Sequence, residues 1–328
     1  MDEFNFQNDD NESGPFQPPE AQKRLLKPKV NPYWAAFLGL AGGFFLYQIV
    51  GGLLTVIIFN FDIKNAPVNS MRLMTMGAQI LFILLPALIF TKMFYEDVTL
   101  ALRIKIPNMR EITLFTIGIV ILSLLLQDYI YLQNYIIETL AGKFSFVNTI
   151  KVFLDSLNEL VEQTYGDLLS ARNLFELFLV LIVVSVAPAL CEEVMFRGYI
   201  QRSFEVKMPP FVSALLTAVF FGLYHFNPYG FVPLTALGFF FGYAAYKSGS
   251  IIVPMFLHFL NNFTSVCIFI IFGNEDLLNS AAPSPVDIRI SIIGFFILLF
   301  VFIIYLYLMS KYYNSNEITK EGRNELLS

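Results

Sequence analysis

Charge is scarce in this chain. Asp, Glu, Lys and Arg make up 14% of its 328 residues, against about 25% in an ordinary soluble domain, too little to clothe a water-facing surface. Cysteine is scarcer still, at two residues, Cys191 and Cys267. Both lie inside apolar runs, which excludes a disulfide framework and leaves them as small apolar side chains. The chain has no basic excess: its net charge is -5, with the acids gathered at the N-terminal tip and in a few loops. Nucleic acid is therefore not an expected partner. What is abundant is apolar and aromatic surface, 56% and 16% of residues, with a mean hydropathy of +0.63. This is the composition of a membrane protein.

The chain opens on a polar segment that does not read as a signal peptide. Asp2, Glu3, Asp9, Asp10, Glu12 and Glu20 stand among Asn, Gln and Pro, a mix that cannot bury a core, so residues 1–31 are expected as a disordered cytosolic tail. Lys23, Arg24, Lys27 and Lys29 follow and place the start of the first span on the cytosolic side.

Each span needs roughly 20 mostly apolar residues. The hydropathy pattern predicts about eight, at 34–59, 73–93, 112–133, 174–203, 211–227, 230–246, 251–272 and 288–310. The fold class is thus all-α, a polytopic bundle. Every loop that this order puts in the cytosol is basic, with Lys92, Arg103, Lys105 and Arg110 after span two and Arg202 and Lys207 after span four. Lys247 follows span six, and Lys311, Lys320 and Arg323 follow the last. Both termini are therefore expected in the cytosol, the second as a tail over 311–328, and a bacterial cytoplasmic membrane is the expected location. Spans five and six are short and rich in Gly and Pro, so a single re-entrant unit is the alternative. The expected units are 32–173 (early spans and an outer loop), 174–272 (a core) and 273–310 (the last loop and span).

Residues 139–173 form the long outer insertion. Val152, Leu154, Leu157, Leu160 and Val161 recur among acids, which fits an interfacial amphipathic helix or an ordinary solvated linker helix. Gly39 with Gly43, and Gly238 with Gly242, have the spacing that lets helices approach closely. Nothing in the sequence fixes an oligomeric state.

The stretch CEEVMFRGY, Cys191 to Tyr199, breaks the apolar pattern. A charge at mid-bilayer costs at least about 2.5–3.5 kcal/mol, so such groups pair or face water. Glu193 and Arg197, four apart, share a helix face and are expected to pair; Glu192 lies about 100° round the helix and needs something else. A helix that ends at Ala189, with both acids in headgroup water, is the bland alternative. The histidines tip the balance. The chain has two, His225 in FGLYH and His258 in HFLNN, both inside predicted spans, and His258 shares a face with Asn262. Two glutamates, an arginine, two histidines and an asparagine on neighbouring apolar helices satisfy one another's polarity if they converge.

Such a set can hydrolyse a carbonyl compound. A partly desolvated glutamate beside imidazoles can take a proton from water. The imidazoles and the carboxamide can donate to an oxyanion, or the imidazoles can join a carboxylate around zinc. Pro188 has no amide hydrogen and leaves the Val184 carbonyl without its usual donor, so the helix is expected to distort just before the acids.

EEVMFRGY, FGLYH and HFLNN resemble, in order and spacing, the three motifs of the CPBP family of intramembrane endopeptidases, which includes type II CAAX prenyl proteases and bacteriocin-processing enzymes. The resemblance covers about Leu174 to Asn262 and implies an all-helical core with a cavity reached from the cytosol. It implies that Glu192 activates the attacking water together with His225, that His258 and Asn262 stabilise the oxyanion, and that Glu193 and Arg197 hold the site together. Metal use stays open: the chain lacks a His-Glu-x-x-His pattern, and a bound zinc would take its ligands from Glu192, His225 and His258. Membrane lipid and a membrane-associated or lipidated peptide or protein are the implied partners. A transporter would place polar groups along a path, for which Asp128 and Glu176 are the other obvious candidates. A non-catalytic scaffold would be free to lose the glutamates or histidines.

Overall fold

A computed structural model describes residues 26–272 and 285–325, and the described chain is helical apart from one isolated bridge between Pro28 and Tyr95. Nine long helices carry it. They are α1 (Pro32–Ile58), α2 (Val68–Phe94), α3 (Met109–Lys143), α4 (Ser145–Leu169), α5 (Leu174–Glu205), α6 (Pro210–Tyr224), α7 (Phe231–Ser248), α8 (Ile252–Phe272) and α9 (Pro285–Glu325). Most of the expected acidic tail, residues 1–25, and most of the last outer loop, residues 273–284, lie outside the described residues. The Lys29 amide donates to the Phe94 carbonyl at 2.7 Å, tying the chain before α1 to the end of α2.

Local chemistry sets the helix ends. Asn31 accepts the Tyr33 amide and Pro32 takes the first helical position of α1, where a missing N–H costs nothing. Asn108 and Glu111 form a capping box at the start of α3, Asn173 caps α5, and Gly249, at φ +62°, ends α7. The eight expected spans fall on eight of these helices, with α4 as the ninth. Six of the nine are long and apolar enough to cross a membrane: α1, α2, α3, α5, α8 and residues Ile288–Ser315 of α9. The shortfall lies at spans five and six. With 15 residues, α6 rises only about 22 Å against a hydrocarbon core of about 30 Å.

α5 is the centre of the bundle. Every residue from Val194 to Ile200 is buried, packed by α1, α2, α6 and α7, while α8 packs on the preceding stretch from Leu181 to Glu193. Its hydrogen bonding widens to the π pattern over Leu181–Val186 and Val194–Ile200, on either side of the α-helical Ala187–Glu193 that carries both acids. Such interruptions are frequent at functional sites. The glycine pairs mark close approaches, as expected from their spacing. A Cβ on Gly39 would meet Tyr199 at 2.6 Å, and one on Gly242 would meet Gln201 at 2.7 Å.

α4 bridges across one end of the bundle, between the end of α3 and the start of α5, and has no fully buried residue. Lys151 pairs with Glu138 of α3 at 2.9 Å, Tyr229 donates to Asp155 at 2.5 Å, and Arg72 of α2 donates to the carbonyls of Leu168 and Ser170. Lys151 and Asp155 of α4 thus face protein. The exposed apolar side chains of α4 up to Leu160 are Phe146, Ile150, Val152, Phe153, Leu157 and Leu160; of the set expected from the sequence, Val152, Leu157 and Leu160 are among them and Leu154 and Val161 are half-buried. The last helix continues past Lys311 through most of the segment expected as a tail.

Candidate active site

Glu193 and Arg197 are both fully buried, one helical turn apart on α5. Arg197 Nη1 donates to Glu193 Oε1 at 2.8 Å, and its Nη2 donates to the Gly238 carbonyl of α7 at 3.0 Å. The guanidinium also lies over Phe221 and Phe241, 4.5 and 5.3 Å from the ring centroids, so its charge has a carboxylate, a carbonyl and two π faces in place of water. His258 of α8 reaches the same oxygen: Nδ1 to Glu193 Oε1 is 2.8 Å. Its ring stacks on Phe241, with centroids 5.3 Å apart and planes at 17°.

His225 is the first residue beyond α6, and its Nδ1 lies 2.7 Å from the Phe221 carbonyl. A carbonyl only accepts, so Nδ1 is the donor and Nε2 of the neutral ring presents a lone pair. His258 follows the same logic. Its carboxylate partner already accepts from Arg197, so Nδ1 donates, and Nε2 can itself donate only in the imidazolium form. One aromatic ring joins the two: Phe221 lies 4.7 Å from His225 and 5.9 Å from His258, centroid to centroid.

Asn262 sits one turn beyond His258, and its Nδ2 donates to the Val184 carbonyl of α5 at 3.0 Å. Glu192 is half-buried on a different face of α5. Its Oε2 is shielded from solvent and has no hydrogen-bond partner among the described residues. Tyr47 of α1 and Tyr165 of α4 lie within electrostatic reach of that carboxylate.

The six residues selected from the sequence thus fall into a buried cluster of Arg197, Glu193 and His258, with His225 sharing its aromatic wall, Asn262 one turn on, and Glu192 beside it. The sequence puts Phe221 on the helix face of His225 and marks Gly238 for close packing, but the contacts of Phe221, Phe241 and the Gly238 carbonyl with Arg197 were not foreseen, because they depend on how α6 and α7 pack around α5. Gln48 Nε2, which holds the Tyr224 carbonyl at 2.7 Å and so fixes the end of α6 before His225, was missed too. As to zinc, no three His, Cys, Asp or Glu side chains among the described residues are gathered to hold a metal ion.

Residues 174–264 match the Rce1-like family model, described as type II CAAX prenyl endopeptidase. The Rce1-like segment runs from the start of α5 into α8 and contains all six site residues. Over 84 residues the chain is also 32% identical to the Bacillus subtilis (strain 168) protein named "Putative membrane peptidase YdiL". That alignment covers 26% of this chain and 34% of YdiL, so the match spans about a third of the relative's length. No solved structure gives a significant match. The Rce1-like segment agrees with the type II branch of the resemblance found in the sequence.

Proposed function

We propose that this chain is an intramembrane endopeptidase that hydrolyses a peptide bond of a membrane-associated or lipidated polypeptide, with Glu192 as the base that activates water. The observation that carries this reading is the contrast between the two glutamates. Glu193 Oε1 accepts from Arg197 and His258. The buried Oε2 of each glutamate has no hydrogen-bond partner among the described residues, but of the two only Glu193 is bonded there to a cation or an imidazole. The carboxylate left unpaired is the one able to accept a proton.

In this reading Glu192 takes a proton from water as the oxygen attacks the peptide carbonyl, with the Nε2 lone pair of His225 sharing in its removal. Negative charge collects on the former carbonyl oxygen. The second amide hydrogen of Asn262 and His258 in its imidazolium form, stabilised by Glu193, donate to it. The proton held by Glu192 passes to the amide nitrogen, the C–N bond breaks, and an acid and an amine leave. No step is routed through zinc. α4 crosses the end of the bundle that the basic loops leave extracytosolic, and with that orientation it supports substrate entry from the cytosolic side. A bacterial cytoplasmic membrane with both termini inside fits the same orientation.

The test compares membrane peptides from cells carrying the native protein, Glu192→Gln or His225→Ala at matched expression. A fragment present with the native protein and missing with both variants is the expected result and names the substrate. Identical peptide profiles in all three strains under inducing conditions count against a protease.

A further inference from the structure

A cavity of about 550 Å³ opens where the ends of α2, α5 and α7 meet. Arg103, Lys105 and Arg202 line it together with Leu100, Ile104 and Tyr246. The site is separate from the catalytic cluster: Arg202 lies nine residues beyond Glu193, about 14 Å along the helix. It is also at the membrane boundary, because spans that alternate in direction bring these three helix ends to one side. The Ile251 amide, at the start of α8, donates to the Arg103 carbonyl at 3.0 Å and ties the fourth segment to them.

The charges of this cavity do not balance. Glu205 Oε2 accepts from both Arg103 Nη2 and Arg202 Nη1, while its Oε1 is taken by Gln201 Nε2 at 2.8 Å. One carboxylate therefore serves two guanidiniums. Asp97, the other acid in the wall, caps a short helical turn by accepting the Leu100 amide at 2.9 Å. Lys105 has no carboxylate partner among the described residues, and the buried Nε of Arg202 has no acceptor. Three cations thus face two engaged acids.

The wall is rigid as well as positive. Arg103 holds a left-handed backbone at φ +54°, unusual for a side-chain-bearing residue, and the Lys105 carbonyl accepts the Ser250 hydroxyl at 2.5 Å. Donors fixed in advance lose little entropy when a ligand arrives. Beside them Ile104 is 53% exposed and Tyr246 43% exposed, an apolar margin next to the cations.

We propose that this cavity binds the phosphate of an anionic phospholipid headgroup. The partly exposed guanidinium of Arg202 suits the non-bridging phosphate oxygens, and Lys105 supplies the unpaired charge. Arg103, whose Nη2 and Nη1 already donate to Glu205 and to the Arg197 carbonyl, adds only its charge behind them. The apolar margin takes the first carbons of the lipid. A soluble phosphate would use the same cations and leave that margin bare.

Native mass spectrometry of the full chain, released from micelles with equimolar phosphatidylglycerol and phosphatidylcholine, tests the assignment. The native protein is expected to retain phosphatidylglycerol preferentially. In the Lys105→Gln/Arg202→Gln double variant the preference should fall by roughly 5-fold for each cation removed, the scale of about 1 kcal/mol per basic side chain at an anionic surface. A double variant with an unchanged preference overturns the site. Should that variant melt early in phosphatidylcholine alone, the exposed Lys105→Gln single variant carries the same decision. Inorganic phosphate separates the two sources: if millimolar phosphate displaces bound phosphatidylglycerol completely, the lipid assignment is overturned in favour of a soluble anion.

Discussion

Asn262 Nδ2 donates to the Val184 carbonyl at 3.0 Å, across the gap between α8 and α5. That carbonyl is available because Pro188, four residues on, has no N–H to give it, and α5 has already widened to the π pattern over Leu181–Val186. A backbone irregularity thus orients a side chain assigned to the oxyanion. Pro188→Ala supplies a competing amide and should release Asn262 from its position. The expected result is a fall in activity of up to about 100-fold, the scale of an ångström-sized misplacement, with the melting temperature held or raised. Equal turnover in both proteins would show that the Val184 contact does not position Asn262.

The two glutamates should separate under the same substitution. Glu193→Gln leaves Arg197 buried without its counter-charge, for which about 3 kcal/mol of destabilisation is expected. Glu192→Gln removes a carboxylate that anchors nothing, so the protein should keep its melting temperature and lose its activity. Thermal unfolding in detergent, read beside cleavage of the substrate found by peptide profiling, checks both. A Glu192→Gln protein that unfolds as early as Glu193→Gln would remove the distinction on which the proposed mechanism rests.

How far the sequence reached depended on the kind of interaction. The Glu193–Arg197 pair was legible because four-residue spacing on one helix is local, and the helix order followed from hydropathy. Span limits were less so. α3 was expected to end at residue 133 and runs to Lys143, since a helix need not stop where the bilayer does, no proline follows residue 133 within it, and its one glycine there, Gly142, falls in the last turn. α6 was expected to reach residue 227 and stops at Tyr224, with Phe226 at φ +48°. That early end places His225 in a turn, and no periodicity argument reveals it. Four-residue spacing put Phe221 on the face of His225, but its contacts with His258 and Arg197 depend entirely on packing and were not legible.

Gly238 joins packing to the site. Its carbonyl accepts from Arg197, and a Cβ there would stand 3.0 Å from Phe221 and 3.2 Å from Arg197 Nη2. Gly238→Ala should therefore cost about 1–3 kcal/mol by overpacking and lower activity as well. Gly39→Ala crowds Tyr199 and Ile200, away from the catalytic groups, and should lower stability while sparing the specific activity of the folded fraction. Active-fraction measurements on both variants decide the matter. Equal losses of specific activity would mean that Gly238 matters only as spacing.

The hold of α4 on the bundle should respond to acid. Burial alone would raise the Asp155 pKa, but hydrogen bonds from Lys151 and Tyr229 and the Lys151 charge outweigh it and bring the carboxyl below its ordinary value. A lowered folded pKa means that the stabilisation is fully present above the ordinary carboxylate value of about 3.9 and disappears as pH falls through the folded one. Hydrogen exchange of α4 amides, corrected for the intrinsic rate, should thus be flat from pH 7 to pH 5 and rise below about pH 4. Tyr229→Phe should quicken α4 exchange at pH 7 by roughly 5-fold, the scale of about 1 kcal/mol for one hydrogen bond. Loss of protection already between pH 7 and pH 5 would assign the docking of α4 to groups other than Asp155.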